Sequence, residues 1–162
     1  MNFEKYKIIP NYKTNTTDLV LPNKEDISKC EDKFKINFED DYIEYIFKYG
    51  EGVLGGTYVR VYLPKKIMET HNDWLERISE YWFWDAGKEV MTKKEALESV
   101  RIGDTFDGDE IIFYKNEYFI LPRHSDKIYN TGESLEKTIE WLCSSGILTE
   151  PFIEREFEPF NE

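Results

Sequence analysis

Histidine and cysteine are almost absent from this chain: two of each, His71 and His124, Cys30 and Cys143, stand among 162 residues. Cysteines so far apart, with no C-x-x-C spacing, exclude a zinc ribbon and a dithiol redox centre, and leave two reduced, largely buried thiols as the expectation. The absence of H-E-x-x-H, of G-x-S-x-G and of a Walker loop removes the motif-borne hydrolases and nucleotide-binding enzymes. No apolar run nears the roughly 18 residues of a membrane span. The start, Met1-Asn2-Phe3-Glu4-Lys5, lacks a basic region followed by an apolar stretch, so a cytoplasmic location is expected. Basic residues are the minority, 21 against 33 acids, for a net charge of -12. Over a Debye length of about 10 Å, such a surface repels nucleic acid and anionic membranes and favours a basic partner.

What the chain does have is apolar mass: 40% hydrophobic residues, 16% of the total aromatic, enough for the core of one globular domain. Asn23 caps a helix on which Ile27, Cys30 and Phe34 share a face. Asn37 is the expected cap of the next. Glu39, Asp40 and Asp41 fit its positive dipole end, Ile43, Ile46 and Phe47 form a stripe, Tyr42, Tyr45 and Tyr49 a second one, and Gly50 is the stop. Glu51 to Gly56 reads as a turn-rich connection, and Thr57 to Tyr62 as the first strand. Pro64 suits the first turn of a helix running from Lys65 to about Trp84, with Ile67, His71, Trp74, Leu75, Ile78 and Trp82 on one face. His71 on that stripe is read as a core or edge histidine with one hydrogen bond. Thr92 and Glu95 form a capping box over a short helix. Ile111 to Tyr114 and Tyr118 to Leu121, joined at Lys115-Asn116, make a β-hairpin. Ser134 caps a last helix carrying Leu135, Ile139 and Leu142, with Gly146 beyond its end.

These elements add up to an α+β fold, a single domain with a central antiparallel sheet packed against helices. Its core is expected over about 22–146. Residues 147–162 form an acidic, aromatic tail whose phenylalanines dock on the domain's own surface; a partner-binding segment is the alternative.

The segment Arg101-Ile102-Gly103-Asp104-Thr105-Phe106-Asp107-Gly108-Asp109-Glu110-Ile111-Ile112-Phe113 invites a metal reading, which its spacing resists. An EF-hand loop counted from Asp104 puts Phe106 and Gly108 at ligand positions and Lys115 at the last; counted from Asp107 it puts Ile111 and Phe113 there. A phosphate cradle lacks its Lys-Ser/Thr pair and its following helix. A non-standard Mg²⁺ or Mn²⁺ site through Asp104, Asp107 and Asp109 is the remote hydrolase alternative, against their plainer role as turn formers.

Phe38-Glu39-Asp40-Asp41-Tyr42 leads through Phe47 and Tyr49 to Gly50-Glu51-Gly52. A strand follows, then Ile102-Gly103-Asp104 through Gly108-Asp109-Glu110-Ile111 into the hairpin, and the helix that begins at Ser134. In this order, from about Pro22 to Gly146, the chain resembles the SUKH superfamily, the Smi/Knr-type domain. Phe38-Glu39 stands where that family usually has Leu-Pro, and Gly50-Glu51-Gly52 where it has Asn-Gly-Gly.

The resemblance implies a non-catalytic immunity protein that binds and neutralises a cognate bacterial polymorphic toxin, often a nuclease, by occlusion. The fungal members of the family act instead as regulatory interaction proteins, so a scaffold module without a toxin is the alternative. No catalytic residue, metal or cofactor is expected. The expected partner is a basic toxin domain, approached through Glu51, Asp104, Asp107, Asp109 and Glu110 on loops and anchored by aromatics among Tyr81, Trp82, Phe83 and Trp84, chiefly Tyr81 and Trp84.

Overall fold

The computed structural model describes residues 6–80 and 88–162. Among them run β1 (Lys7–Ile8), α1 (Lys24–Phe34), α2 (Asp40–Lys48), β2 (Gly52–Leu54), β3 (Val59–Val61), α3 (Pro64–Ser79) and α4 (Lys93–Leu97). Then come β4 (Val100–Thr105), β5 (Glu110–Tyr114), β6 (Glu117–Leu121), β7 (Tyr129–Gly132), α5 (Leu135–Ser144) and β8 (Glu156–Pro159). The strands form one eight-stranded sheet in the order β1-β8-β2-β3-β4-β5-β6-β7. Every neighbouring pair is antiparallel except β1 and β8, which run parallel.

This is the α+β architecture that the chain's pattern implies, enlarged at one side. The first strand is not at Thr57, because β1 and β2 precede it. β2 lies inside the stretch read as a turn-rich connection: only three residues long, it owes its strand character to Leu54 opposite Val59 and to Gly52, Val53 and Leu54 opposite Pro159, Glu158 and Phe157. Both β1 and β8 lie outside residues 22–146, so the sheet draws on both flanks of the expected core.

The middle of the sheet is covered on both faces. Ile111, Phe113, Tyr118 and Ile120 pack in one cluster with Tyr42, Tyr45, Ile46, Leu135 and Ile139 of α2 and α5. Ile112, Phe119 and Leu121 pack in a second cluster with Trp74, Ile78 and Ala96 of α3 and α4. That is why β5 and β6 are near-continuous apolar runs and not alternating ones. Their connection, with Lys115 at φ 47° and Asn116 at φ 63°, is the doubly left-handed turn that matches strand twist.

Both stripes of α2 are covered, the tyrosine one more deeply. Tyr42, Tyr45 and Ile46 are fully buried, whereas Ile43 and Phe47 are only partly covered. A tyrosine can serve as core when its hydroxyl is satisfied, and the Tyr42 hydroxyl donates to the Tyr62 carbonyl at 2.7 Å. Phe157 of β8 closes this layer, its ring 5.2 Å from that of Tyr49 and 6.3 Å from that of Tyr45.

The cap of α2 is Glu39, two residues nearer the helix than Asn37, which is exposed. Its carboxylate does more than cap. One oxygen accepts from the Asp41 backbone N–H at 2.5 Å; the other accepts from the Tyr118 hydroxyl at 2.7 Å and from the Leu135 N–H, the first residue of α5, at 2.9 Å. Burial pushes this carboxyl above its ordinary range, against the pull of those three donors. An acid with a raised folded pKa binds more protons folded than unfolded, so its contribution is full below the unfolded value of about 4.3 and fades as pH rises through the folded one.

Two outcomes follow from this core. Phe157→Ala removes a fully enclosed ring and is expected to cost about 3–5 kcal/mol in urea unfolding; a loss under about 1 kcal/mol would show that β8 adds little to the layer. Glu39→Gln turns an amide nitrogen toward one donor and is expected to cost about 1 kcal/mol. The gap between wild type and Glu39→Gln should narrow between pH 4 and 7, and a gap that widens over that range would contradict the assignment.

Candidate functional site

The β4–β5 hairpin carries four of the acids singled out in the sequence, and a one-residue irregularity decides where each one goes. Arg101 stands opposite Ile112 and Gly103 opposite Ile111, leaving Ile102 as an extra residue in β4. Such a bulge inverts the facing of everything beyond it. Arg101 and Asp104, which a regular strand would put on opposite faces, therefore share the face of Ile112 and Glu110. Gly103 permits the approach of β3: a Cβ there would lie 2.5 Å from the Arg60 carbonyl oxygen. Gly108, at φ +92°, shapes the turn itself.

On that face the carboxylates are already engaged. Arg60, opposite Asp104 in the β3–β4 register, forks onto it with Nε–Oδ1 and Nη2–Oδ2 both at 2.7 Å. Glu110, at 3% exposure, accepts from Arg77 of α3 through both oxygens, at 3.2 and 2.8 Å, and from Arg101 at 2.8 Å. The Arg101 guanidinium also lies 5.2 Å from the Tyr62 ring centre. These groups border a cleft of about 890 Å³ whose far side is formed by Arg123, His124 and Asp126.

The turn itself is tied by Asp109. Its carboxylate accepts from the Thr105 hydroxyl and from the Arg123 N–H, each at 3.0 Å, and it is 4% exposed. Asp107 projects into solvent from the tip beside Phe106. Asp107 and Asp109 border a separate groove of about 260 Å³ together with His124, Tyr129 and Ile147.

Asp109 and Glu110 are thus not the exposed loop acids they were expected to be. Glu110 is the first residue of β5 and is drawn inward by two guanidinium groups; Asp109 is drawn inward by the turn it closes. Asp104 belongs to β4 and not to a loop, and Asp107 alone of the four stands free in solvent. Glu51 lies apart from them, half-buried at the edge of a cleft of about 590 Å³ between the first turns of α1 and α3. Tyr81, Trp82, Phe83 and Trp84 lie outside the described residues. The arginines that engage the acids were missed in the sequence, because Arg60 and Arg77 stand 44 and 33 residues before the acids they meet.

His71 is half-buried, with its ring 4.4 Å from that of Phe34 and 5.9 Å from that of Trp74, and packing lowers its pKa. Its buried Nδ1 makes no hydrogen bond. Cys30 and Cys143 are both buried, and burial pushes the Cys30 thiol up to about 12. Among the described residues no three His, Cys, Asp or Glu side chains converge to hold a metal ion, and no helix is long and apolar enough to cross a membrane.

Residues 4–86, just over half of the chain, match the SUKH family described as SMI1-KNR4 cell-wall. The matched stretch contains Phe38-Glu39 and Gly50-Glu51-Gly52, and ends before the β4–β5 hairpin. No curated protein matches the chain.

The division of the acids is open to measurement by chemical denaturation. Glu110→Ala strands two guanidinium groups and should cost about 3 kcal/mol, whereas Asp107→Ala should stay within about 0.5 kcal/mol of wild type. Equal effects of the two changes would contradict it.

Proposed function

Since the chain belongs to the SUKH superfamily, we propose that it is an immunity protein, one that binds a cognate bacterial toxin domain and blocks it by occlusion. The family match carries this reading, and the charge supports it. A chain with a net charge of -12 has the field to draw in a basic partner, and nuclease toxins need basic surfaces to hold phosphate. Steering of this kind raises encounter rates toward about 10⁸–10⁹ M⁻¹s⁻¹. It needs no catalytic group: the protein acts by covering the surface that the toxin's substrate would use.

The acids divide the work. Asp107 in solvent contributes to the approach, while Asp104, Asp109 and Glu110 hold the hairpin in the shape that presents it. Glu51, at the edge of a second cleft, is a further candidate contact. The cell-wall wording of the family description favours one other reading, a regulatory interaction module with no toxin partner.

Co-expression of the chain with a toxin domain encoded beside its gene should restore growth and yield a complex on size-exclusion chromatography. Loss of both with every neighbouring toxin would leave the regulatory reading. The association rate of the complex should fall about tenfold or more between low and high salt, and a salt-independent rate would remove the steering argument.

A further inference from the structure

Six large apolar side chains stand exposed among the described residues, and three of them, Phe106, Ile147 and Ile153, come from two loops that meet. The β4–β5 turn and the loop after α5 face one another across the 260 Å³ groove, with Asp107 on one wall and Ile147 and Leu148 on the other. Tyr58 joins the same two loops: its carbonyl accepts the Phe106 N–H at 2.8 Å, and its ring lies 5.7 Å from that of Phe152, next to Ile153. Ile147 lines the groove itself, and Phe106 is the chain neighbour of Asp107, which lines it too.

The charge in that groove is unspent. Asp109 is held only by neutral donors, a hydroxyl and a backbone N–H, and no ion pair among the described residues engages Asp107 or Asp109. The Arg123 side chain lies against Gly108 and lines the larger cleft instead. In that larger cleft the carboxylates of Asp104 and Glu110 are already matched by Arg60, Arg77 and Arg101, which leaves less for a partner to gain. A cation entering the smaller groove would form charge-assisted hydrogen bonds that this chain does not supply. Apolar groups at its rim would meanwhile be removed from water.

We propose that this groove and its rim are the docking surface for a basic protein segment. A lysine or arginine of the partner reaches toward Asp107 and Asp109, and its apolar neighbours cover Phe106 and Ile147. The proposal rests on the immunity reading for the identity of the partner, but its chemistry can be tested without the toxin.

A random 12-residue peptide library is panned against the full chain, and the enriched peptides are measured on wild type, on the double variant Phe106→Asp/Ile147→Asp, and on Asp107→Asn. Enriched peptides should pair Lys or Arg with apolar residues, bind the double variant at least about tenfold more weakly, and bind Asp107→Asn several-fold more weakly. Amide shift mapping on the wild-type chain, which needs no variant, should confine the changes to residues 105–109, 122–125 and 147–153. Peptides without a cation, equal binding to the variants, shifts elsewhere, or no enriched sequence would overturn the proposal. In co-expression, a folded double variant that still protects would overturn this surface and leave the immunity reading standing. Failure of the wild-type chain to protect would remove that reading and leave the peptide result to judge the surface.

Discussion

A single half-buried carboxylate holds three parts of this fold in register. Glu39 closes the first turn of α2, accepts the hydroxyl of Tyr118 in β6 and accepts the first N–H of α5. A charge withdrawn from water persists only where donors replace the water, so the three elements are fixed relative to one another by the needs of one side chain. The tyrosine face of α2 is aimed at the sheet as a result, and Tyr42, Tyr45 and Tyr49 become core. Where the family pattern has Leu-Pro, proline would preset the helix entry through its ring alone. Phe38-Glu39 reaches the same entry by hydrogen bonding and adds two distant partners.

Much of this was legible where the signal is local. Asn23, Thr92 and Ser134 cap their helices, Pro64 opens α3, and Lys115-Asn116 turns the hairpin, because each acts on backbone groups within a few residues. What escaped depends on partners far away in the chain. β1, β2 and β8 are too short to announce themselves, and exist because Lys7 meets Glu156 and Val53 meets Glu158. Which of the two stripes of α2 lies deeper is also set at a distance, since the Tyr42 hydroxyl finds its acceptor in the Tyr62 carbonyl, 20 residues further on.

The acids of the hairpin show why composition underdetermines a surface. Asp104, Asp107, Asp109 and Glu110 look equivalent in a chain so rich in acids, yet the extra Ile102 in β4 and the arginines on neighbouring elements sort them into different fates. Two are engaged by guanidinium groups, one closes a turn with neutral donors, and one is left in solvent. The negative field of the protein at this end thus comes from fewer groups than the sequence suggests, and from a better-defined place. An interaction protein benefits from that arrangement, since engaged charges fix shape and unengaged ones carry the attraction.

The position of β8 in the sheet has a consequence for how the protein is made. β8 sits between β1 and β2, and roughly a hundred residues separate β2 from β8 in the chain. At ordinary translation speeds of about 5–20 residues per second, β2 waits on the order of 5–20 s for the strand that will occupy its open side. During that interval the edge and the tyrosine face of α2 beneath it are uncovered, and every nascent chain passes through this state. The step that seals the core is therefore the last of the sheet pairings, and chaperones have those seconds in which to act.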